Sequence, residues 1–167
     1  MNAQKKYAIF GIITALTIVL DQWSKWWARS GALDRIREVV PGYWEFTLSH
    51  NTRGAFGFNI PGGRWAFVVF GVVALVFIVN YLRKDEAGRN RVLVPLALIA
   101  GGAVGNIYDR IALGPVTDFI HWHIKQSFNW PVFNIADAAL VVGVLMLILF
   151  GPRQKKEKKT ASAQATR

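Results

Sequence analysis

Four long apolar segments divide the chain at fairly regular intervals. Each is close to the 20 or so residues that an α-helix needs to cross the hydrocarbon core of a bilayer, and none has the polar face of a soluble helix. We predict transmembrane helices at about 7–27, 65–82, 91–109 and 133–150. The predicted fold class is therefore mainly α and integral to the membrane, with four transmembrane helices.

The long connection between the first two helices has a different pattern. Between about residues 30 and 64, β-branched and aromatic residues partly alternate with polar ones, as in EVVPGYWEFTLSH. Turns are indicated at Pro41-Gly42 and at Pro61-Gly62-Gly63. We predict two to four short strands there, forming a small β element in the first outer loop.

The composition agrees with a membrane protein and excludes several kinds of site. Apolar residues make up 53% of the chain and charged residues 18%, against about 25% charged in soluble domains. Because there is no cysteine, disulfides, thiolate zinc sites and cysteine nucleophiles are excluded. His121 and His123 could share one face of a strand, but a zinc site needs at least a third protein ligand, which the sequence spacing does not supply. We therefore predict no metal and no cofactor.

The distribution of basic residues predicts the orientation in the membrane. The net charge is +10, and 12 of the 20 Lys and Arg lie before the first helix, between the second and third helices, or after residue 150. An excess of Lys and Arg marks the cytoplasmic side, so both termini should be cytoplasmic. We divide the chain into a membrane domain, 1–150, and a basic, disordered cytoplasmic tail, 151–167. Its lysines can bind anionic lipids, so the charge does not require a nucleic-acid partner.

Polar residues of the predicted helices concentrate at one depth. Asp21 follows Tyr7 by 14 residues, a rise of roughly 21 Å, which places it in the outer half of the membrane. The third helix ends, and the fourth begins, with more polar residues at the same level. The set is Asp21, Asn106, Asp109, Arg110, Asn134 and Asp137, and Asp118 lies in the outer loop between the third and fourth helices. Ionisable residues in membrane segments are costly and usually mark function.

Two interpretations of these polar residues follow from their spacing. Asp21 and Lys25 are four residues apart and share a helix face, which favours an ion pair that holds the helices together. Asp118 and Asp137 could instead meet in a dry cleft, where one keeps a proton and the other accepts one. Such a pair can activate water against a peptide bond. A proton or cation transporter, and a purely structural membrane subunit, are the alternatives.

Five motifs occur in order along the chain. They are DQWSK at 21–25, NTRGAF at 51–56, GGAVGNIYDR at 101–110, VTDF at 116–119 and FNIAD at 133–137. Together they resemble the motifs of the bacterial lipoprotein signal peptidase, or type II signal peptidase, and the resemblance covers residues 7 to 150. It implies a membrane aspartyl endopeptidase of the bacterial inner membrane.

The resemblance also implies a substrate and a set of site residues. The substrate class is prolipoproteins carrying a diacylglyceryl-cysteine, cut just before that cysteine near the outer leaflet. The catalytic aspartates match Asp118 and Asp137. Arg53 stands where the family often has glycine, which shifts the expected close backbone approach to Gly54. The positions expected to bind the substrate or support the site are Asn51, Gly54, Asn106, Arg110, Asn134, Asp21, Lys25 and Asp109. We expect membrane lipids as partners and a monomer.

Overall fold

A computed structural model describes residues 2–54, 60–84, 90–125 and 127–151 of the chain. Apart from Gly151, the predicted tail lies outside these described residues. Helix α1 continues beyond Trp27 as a π-helical turn, Ala28–Ala32, in which Gly31 has a φ of 86°. The helices are α1 (Ala3–Trp27), α2 (Gly63–Lys84), α3 (Asn90–Ala112) and α4 (Ile135–Phe150).

Three of the helices in the described part of the chain are long and apolar enough to cross a membrane. These are α1 with its π-helical turn, α2 and α3. Helix α4 is apolar but has only 16 residues, a length of about 24 Å. Large apolar side chains on the bundle surface, such as Phe77 with 70% and Ile148 with 73% of their area exposed, are suited to contact with lipid. The molecule is a multi-pass membrane protein.

Helix α4 begins two residues later than predicted. Phe133 is extended and pairs with Ile120, and Asn134 is the N-cap. The Asn134 side chain accepts a hydrogen bond from the Asp137 backbone N–H, while the Asp137 side chain accepts one from the Asn134 backbone N–H. This capping box satisfies backbone donors that would otherwise lack partners, and it therefore decides where the helix starts.

The β element is larger than predicted. Strands in the connection between α1 and α2 are confirmed, but the antiparallel sheet has four strands in the order β1-β2-β3-β4, and two of them belong to the connection between α3 and α4. The second pair arises from the segment VTDFIHWHI and the residues after it, rich in the β-branched and aromatic residues that suit strands. The strands are β1 (Arg37–Val40), β2 (Trp44–Asn51), β3 (Val116–Ile124) and β4 (Phe128–Asn129).

Helix α3 is the central helix and packs against α1, α2 and α4. Its glycines permit this close approach. A Cβ atom at Gly101 would lie 2.6 Å from Thr17 Cβ of α1, and one at Gly105 would collide with the Asp21 carboxylate. These two glycines are four residues apart, a GxxxG spacing that permits close packing of helices. The consequence is that α1 and α4 lie against α3 just where the polar residues occur.

Candidate active site

The ammonium group of Lys25 lies at the centre of a buried polar network. Its Nζ atom is 2.8 Å from Asp21 Oδ2 and 3.2 Å from Asp109 Oδ2, and it donates to Asn106 Oδ1 at 3.0 Å. Three acceptors therefore satisfy its three protons. The predicted ion pair of Asp21 and Lys25 is confirmed, and all three charged side chains are completely buried.

The two carboxylates that face Lys25 also bind backbone N–H groups. Asp21 Oδ1 accepts from the Ala136 N–H at 2.9 Å, and Asp109 Oδ2 accepts from the Thr117 N–H at 3.0 Å. Ala136 immediately precedes Asp137, and Thr117 immediately precedes Asp118. The ion cluster therefore holds the chain beside each of the two aspartates that the family resemblance singles out.

Asn134 connects these two aspartates. Its Nδ2 group donates to Asp118 Oδ1 at 2.6 Å, and its Oδ1 atom accepts from the Asp137 backbone N–H at 2.9 Å. The Asn134 residue is fully buried. One amide thus fixes the Asp118 carboxylate relative to the first turn of α4.

Each aspartate has a further amide donor of its own. Asn51 Nδ2 donates to Asp118 Oδ2 at 3.0 Å, and Asn106 Nδ2 donates to Asp137 Oδ1 at 2.8 Å. The Oδ1 atom of Asn106 faces Lys25, which leaves its NH₂ group to face Asp137. Both aspartates are therefore held in defined orientations by neutral amides. The charged Lys25 contacts Asn106 at the amide oxygen, while the amide nitrogen faces Asp137.

Arg110 and Gly54 hold the loop that follows β2. The Arg110 guanidinium stacks 4.9 Å from the centre of the Phe67 ring and donates to the Arg53 carbonyl at 3.5 Å. Gly54 is buried, and a Cβ atom there would collide with the Phe67 ring. The close approach expected at Gly54 is therefore present, and it brings the loop bearing Asn51 up to α2 and α3.

A cavity of about 730 Å³ opens beside the two aspartates. One part of its lining is polar and includes Asp118, Asp137 and Arg110. Another part is apolar or aromatic and comes from β3, from the residues before α4, and from α4 itself. This part includes Trp122, Trp130, Val132, Phe133, Leu140, Val141 and Val142. Such a cleft suits a ligand that combines a polar chain with apolar groups.

The Asp118 carboxyl titrates far from its usual range. Burial, and next the nearby Asp137 carboxylate, raise the pKa of Asp118 from its usual value of 3.8 to about 7. Hydrogen bonds from Asn51 and Asn134 and the charge of Lys25 oppose this rise. A carboxyl with a pKa close to neutral can both give and take a proton under physiological conditions.

Sequence comparison identifies the family. The family model described as signal peptidase (SPase) II matches residues 13–151. The chain belongs to the signal peptidase II family. The lipoprotein signal peptidase of Pseudomonas fluorescens is 39% identical over 96% of this chain and 98% of its own length. That of Xanthomonas axonopodis pv. citri (strain 306) is 37% identical over 90% of each chain.

A solved structure has the same fold as this signal peptidase II family member. It is described as a bacterial membrane enzyme determined by the in meso method at 2.3 Å resolution. It superposes with a TM-score of 0.77 at 29% identity, covering 92% of this chain and 95% of the other. A second such structure, at 1.9 Å, gives a TM-score of 0.75 at 28% identity.

All ten predicted site residues lie together at the sheet end of this signal peptidase II fold. Three residues that hydrogen-bond within the same network were not predicted from the sequence: Gln22, Arg29 and Thr117. Gln22 Nε2 donates to Asp109 Oδ1 at 3.2 Å, and Arg29 Nη1 donates to Thr117 Oγ1 at 2.8 Å. Arg29 follows Lys25 by four residues, so helical spacing could have indicated it. Thr117 could have been suspected only from its position beside Asp118.

Proposed function

We propose that the protein is an aspartyl endopeptidase that removes the signal peptide from diacylglyceryl-modified prolipoproteins by cutting before the lipidated cysteine. Asp118 and Asp137 are its catalytic pair. This assignment rests on one observation. The buried Asn134 side chain hydrogen-bonds both to the Asp118 carboxylate and to the Asp137 backbone N–H, and the two aspartates line the same cavity. Family membership supports the reaction class, because the relatives are lipoprotein signal peptidases.

The chemistry requires one proton shared by the two carboxyl groups. The ionised carboxylate takes a proton from water as the water oxygen attacks the scissile carbonyl carbon, while the protonated carboxyl donates its proton to the carbonyl oxygen. In the tetrahedral intermediate that results, the C–N bond breaks as the carboxyl that took the water proton gives it to the amine nitrogen. The other carboxylate takes a proton from a hydroxyl of the intermediate as the new carboxylic acid forms, which restores the shared proton. The raised pKa of Asp118, about 7, lets the pair keep one shared proton up to about neutral pH.

The cavity lining suits the two parts of this substrate. The polar part, with Asn51 and Arg110, is suited to hydrogen-bonding an extended peptide backbone around the scissile bond. The apolar part, with Trp122 and Leu140 among its members, is suited to acyl chains and to the apolar signal segment. The substrate therefore needs both its lipid and its peptide to fill the cleft.

The orientation is proposed from the fold and the charges together. Both sheet-forming connections and all the candidate site residues lie at one end of the bundle, while at the other end the buried Lys6 donates to the Leu82 carbonyl at 2.7 Å. In the sequence, the basic segments precede or follow the helix ends on the Lys6 side, and an excess of Lys and Arg supports assigning that side to the cytoplasm. We assign the protein to the bacterial inner membrane as a monomer surrounded by lipid, with both termini cytoplasmic and the active site near the outer leaflet.

A transport function is disfavoured by where the buried charges lie. A proton or cation pathway needs ionisable groups through both leaflets. Among the described residues of α1, the buried positions between Lys6 and Asp21 are limited to Thr17. The ionisable groups therefore occupy the two ends of α1 rather than a continuous path.

Cleavage of a defined substrate tests the proposed function. We expect the purified protein to cut a diacylglyceryl-modified prolipoprotein just before the modified cysteine, as read by mass spectrometry of both products. The same precursor without the diacylglyceryl group is the control, and it should be cut at least about 100-fold more slowly, because lost remote binding energy lowers the rate. Equal cleavage of both precursors, or of neither, would contradict the proposal.

The pH dependence of the reaction follows from the raised pKa of Asp118. Above a pH of about 7 the pair loses its shared proton, so kcat/KM should fall by about tenfold per pH unit on the alkaline side. The apparent value belongs to the coupled pair of carboxyls. Initial rates measured between pH 5 and pH 9, in buffers of constant ionic strength, check this. A rate that stays constant to pH 9 would contradict it.

The same pKa shift has a consequence for stability that is independent of activity. Because the folded-state pKa of Asp118 lies above the unfolded value of 3.8, the folded protein binds more protons between about pH 4 and pH 7, and the free energy of unfolding falls as pH rises through that window. The Asp118→Asn variant lacks this titration. Its melting temperature relative to the wild type should therefore be higher at pH 8 than at pH 5.

A further inference from the structure

Three side chains with metal-binding atoms meet on the sheet, away from the cavity. Glu45 of β2 lies opposite His121 of β3 in the strand register, and His123 follows two residues later on the same face of β3. Their side chains are 13–18% exposed, so the cluster is accessible to an ion from solution. Sequence spacing alone offered only the two histidines, and the register supplies the third ligand.

The separations within this cluster are close to those of a metal site. His121 Nδ1 is 2.8 Å from Glu45 Oε1, and His123 Nε2 is 3.7 Å from Glu45 Oε2. One ligand atom from each residue lies within 4.8 Å of the others. Around a zinc ion with bonds of about 2.0–2.1 Å, tetrahedral geometry separates ligand atoms by about 3.4 Å. Small side-chain rotations would bring all three atoms to that distance.

The neighbouring strand adds a second argument for a cation. Glu38 of β1 lies opposite Glu45 in the register, and like charges placed directly opposite each other destabilise a sheet. A divalent ion beside Glu45 would remove this repulsion. On the other side of Glu45, the His121 and His123 rings are stacked with their centres 5.1 Å apart, which keeps both imidazoles beside the carboxylate.

We propose that Glu45, His121 and His123 form a binding site for a divalent transition-metal ion of the Zn²⁺ class, with water in the fourth position. Two imidazoles and one carboxylate suit Zn²⁺ better than Mg²⁺ or Ca²⁺, which prefer oxygen ligands. Metal binding requires neutral imidazoles and an ionised carboxylate, so His121 would bind the ion through Nδ1 and carry its proton on Nε2. The inference does not depend on the proposed peptidase function.

The expected effect of the ion is on the sheet and not on peptide cleavage. Asp118 and Trp122 of β3 line the cavity, whereas His121 and His123 alternate with them and point to the opposite face. The ion would join β2 to β3 close to the register irregularity between Phe46 and Ser49. It would therefore stabilise the strand pairing that carries Asp118.

Zinc binding by the full-length protein, purified in detergent without a histidine tag, tests the site. After equilibrium dialysis against ZnCl₂, we expect one Zn²⁺ per chain by elemental analysis, with no comparable uptake of Mg²⁺. A Zn²⁺ concentration about 100-fold above Kd should raise the melting temperature by about 5 °C or more. Co²⁺ in place of Zn²⁺ should give the visible absorption bands of a low-coordinate site with nitrogen and oxygen ligands.

Matched variants make the test specific. Glu45→Gln, His121→Asn and His123→Asn should each weaken Zn²⁺ binding by about tenfold or more, since even the loss of a residue that only orients a ligand typically costs that much. His50→Asn is the control for metal binding, because His50 is the third histidine of the chain and lies outside the cluster. Zinc binding that survives all three ligand variants, or wild-type protein that shows neither zinc uptake nor Co²⁺ absorption bands, would overturn the proposal.

Discussion

Cleavage by the Asp118→Asn and Asp137→Asn variants is expected to fall by about 10⁴-fold, the upper end of what general acid–base catalysis supplies. The reason is that each carboxyl acts in both steps, so an amide at either position removes a proton donor or acceptor from each. Asn51 and Asn134 both donate to Asp118, and an amide in its place could still accept from one of them. The variants should therefore fold. kcat/KM on a lipidated precursor is the measurement.

The matched control for this experiment is Asp34→Asn. Asp34 is exposed and follows the π-helical turn of α1, outside the network around the candidate pair. It should retain wild-type activity. Melting temperatures recorded on the same samples distinguish a catalytic role of Asp118 and Asp137 from a purely structural one. Normal processing by either active-site variant would refute the catalytic pair, and a loss of activity matched by loss of the folded state would favour a purely structural role.

Replacing Lys25 with Met is expected to destabilise the protein by about 3–5 kcal/mol, which corresponds to a fall in melting temperature of about 10 °C or more. Met has a similar length but no charge, so Asp21 and Asp109 would be left as buried carboxylates without a cation. These carboxylates also hold the backbone beside Asp137 and Asp118. Activity should therefore fall together with stability. Thermal unfolding in detergent measures the first effect.

A double variant tests whether the loss of stability comes from the carboxylates that Lys25 no longer neutralises. In Lys25→Met with Asp109→Asn, one of the two buried carboxylates without a cation is replaced by a neutral amide. The oxygen of that amide can still accept from the Thr117 N–H. The double variant should be less destabilised than the sum of the two single variants. Lys84→Met, at an exposed lysine, is the control and should change stability by less than about 0.5 kcal/mol. Strictly additive effects would count against the ion cluster as the source of stability.

The contacts of Lys25 explain why the support residues were harder to interpret than the aspartates. The spacing of Asp21 and Lys25 indicates a local ion pair, and this pair is present. It does not indicate that the same cluster reaches Thr117 and Ala136 through backbone hydrogen bonds. Those contacts join segments that are 8 and 115 residues apart, and helical periodicity carries no information about them.

The membrane class, the apolar helices and the ordered motifs that contain Asp118 and Asp137 could all be read from the sequence alone. They depend on local properties: the length of an apolar run, a spacing of four residues, and short motifs in a fixed order. The tertiary structure alone decided that β3 pairs with β2, that Asn134 bridges to Asp118, and that Glu45 lies beside two histidines. The physical reason is that strand register and helix packing are set by the best simultaneous fit of side chains that are distant in sequence. The sequence of a single segment therefore does not determine either of them.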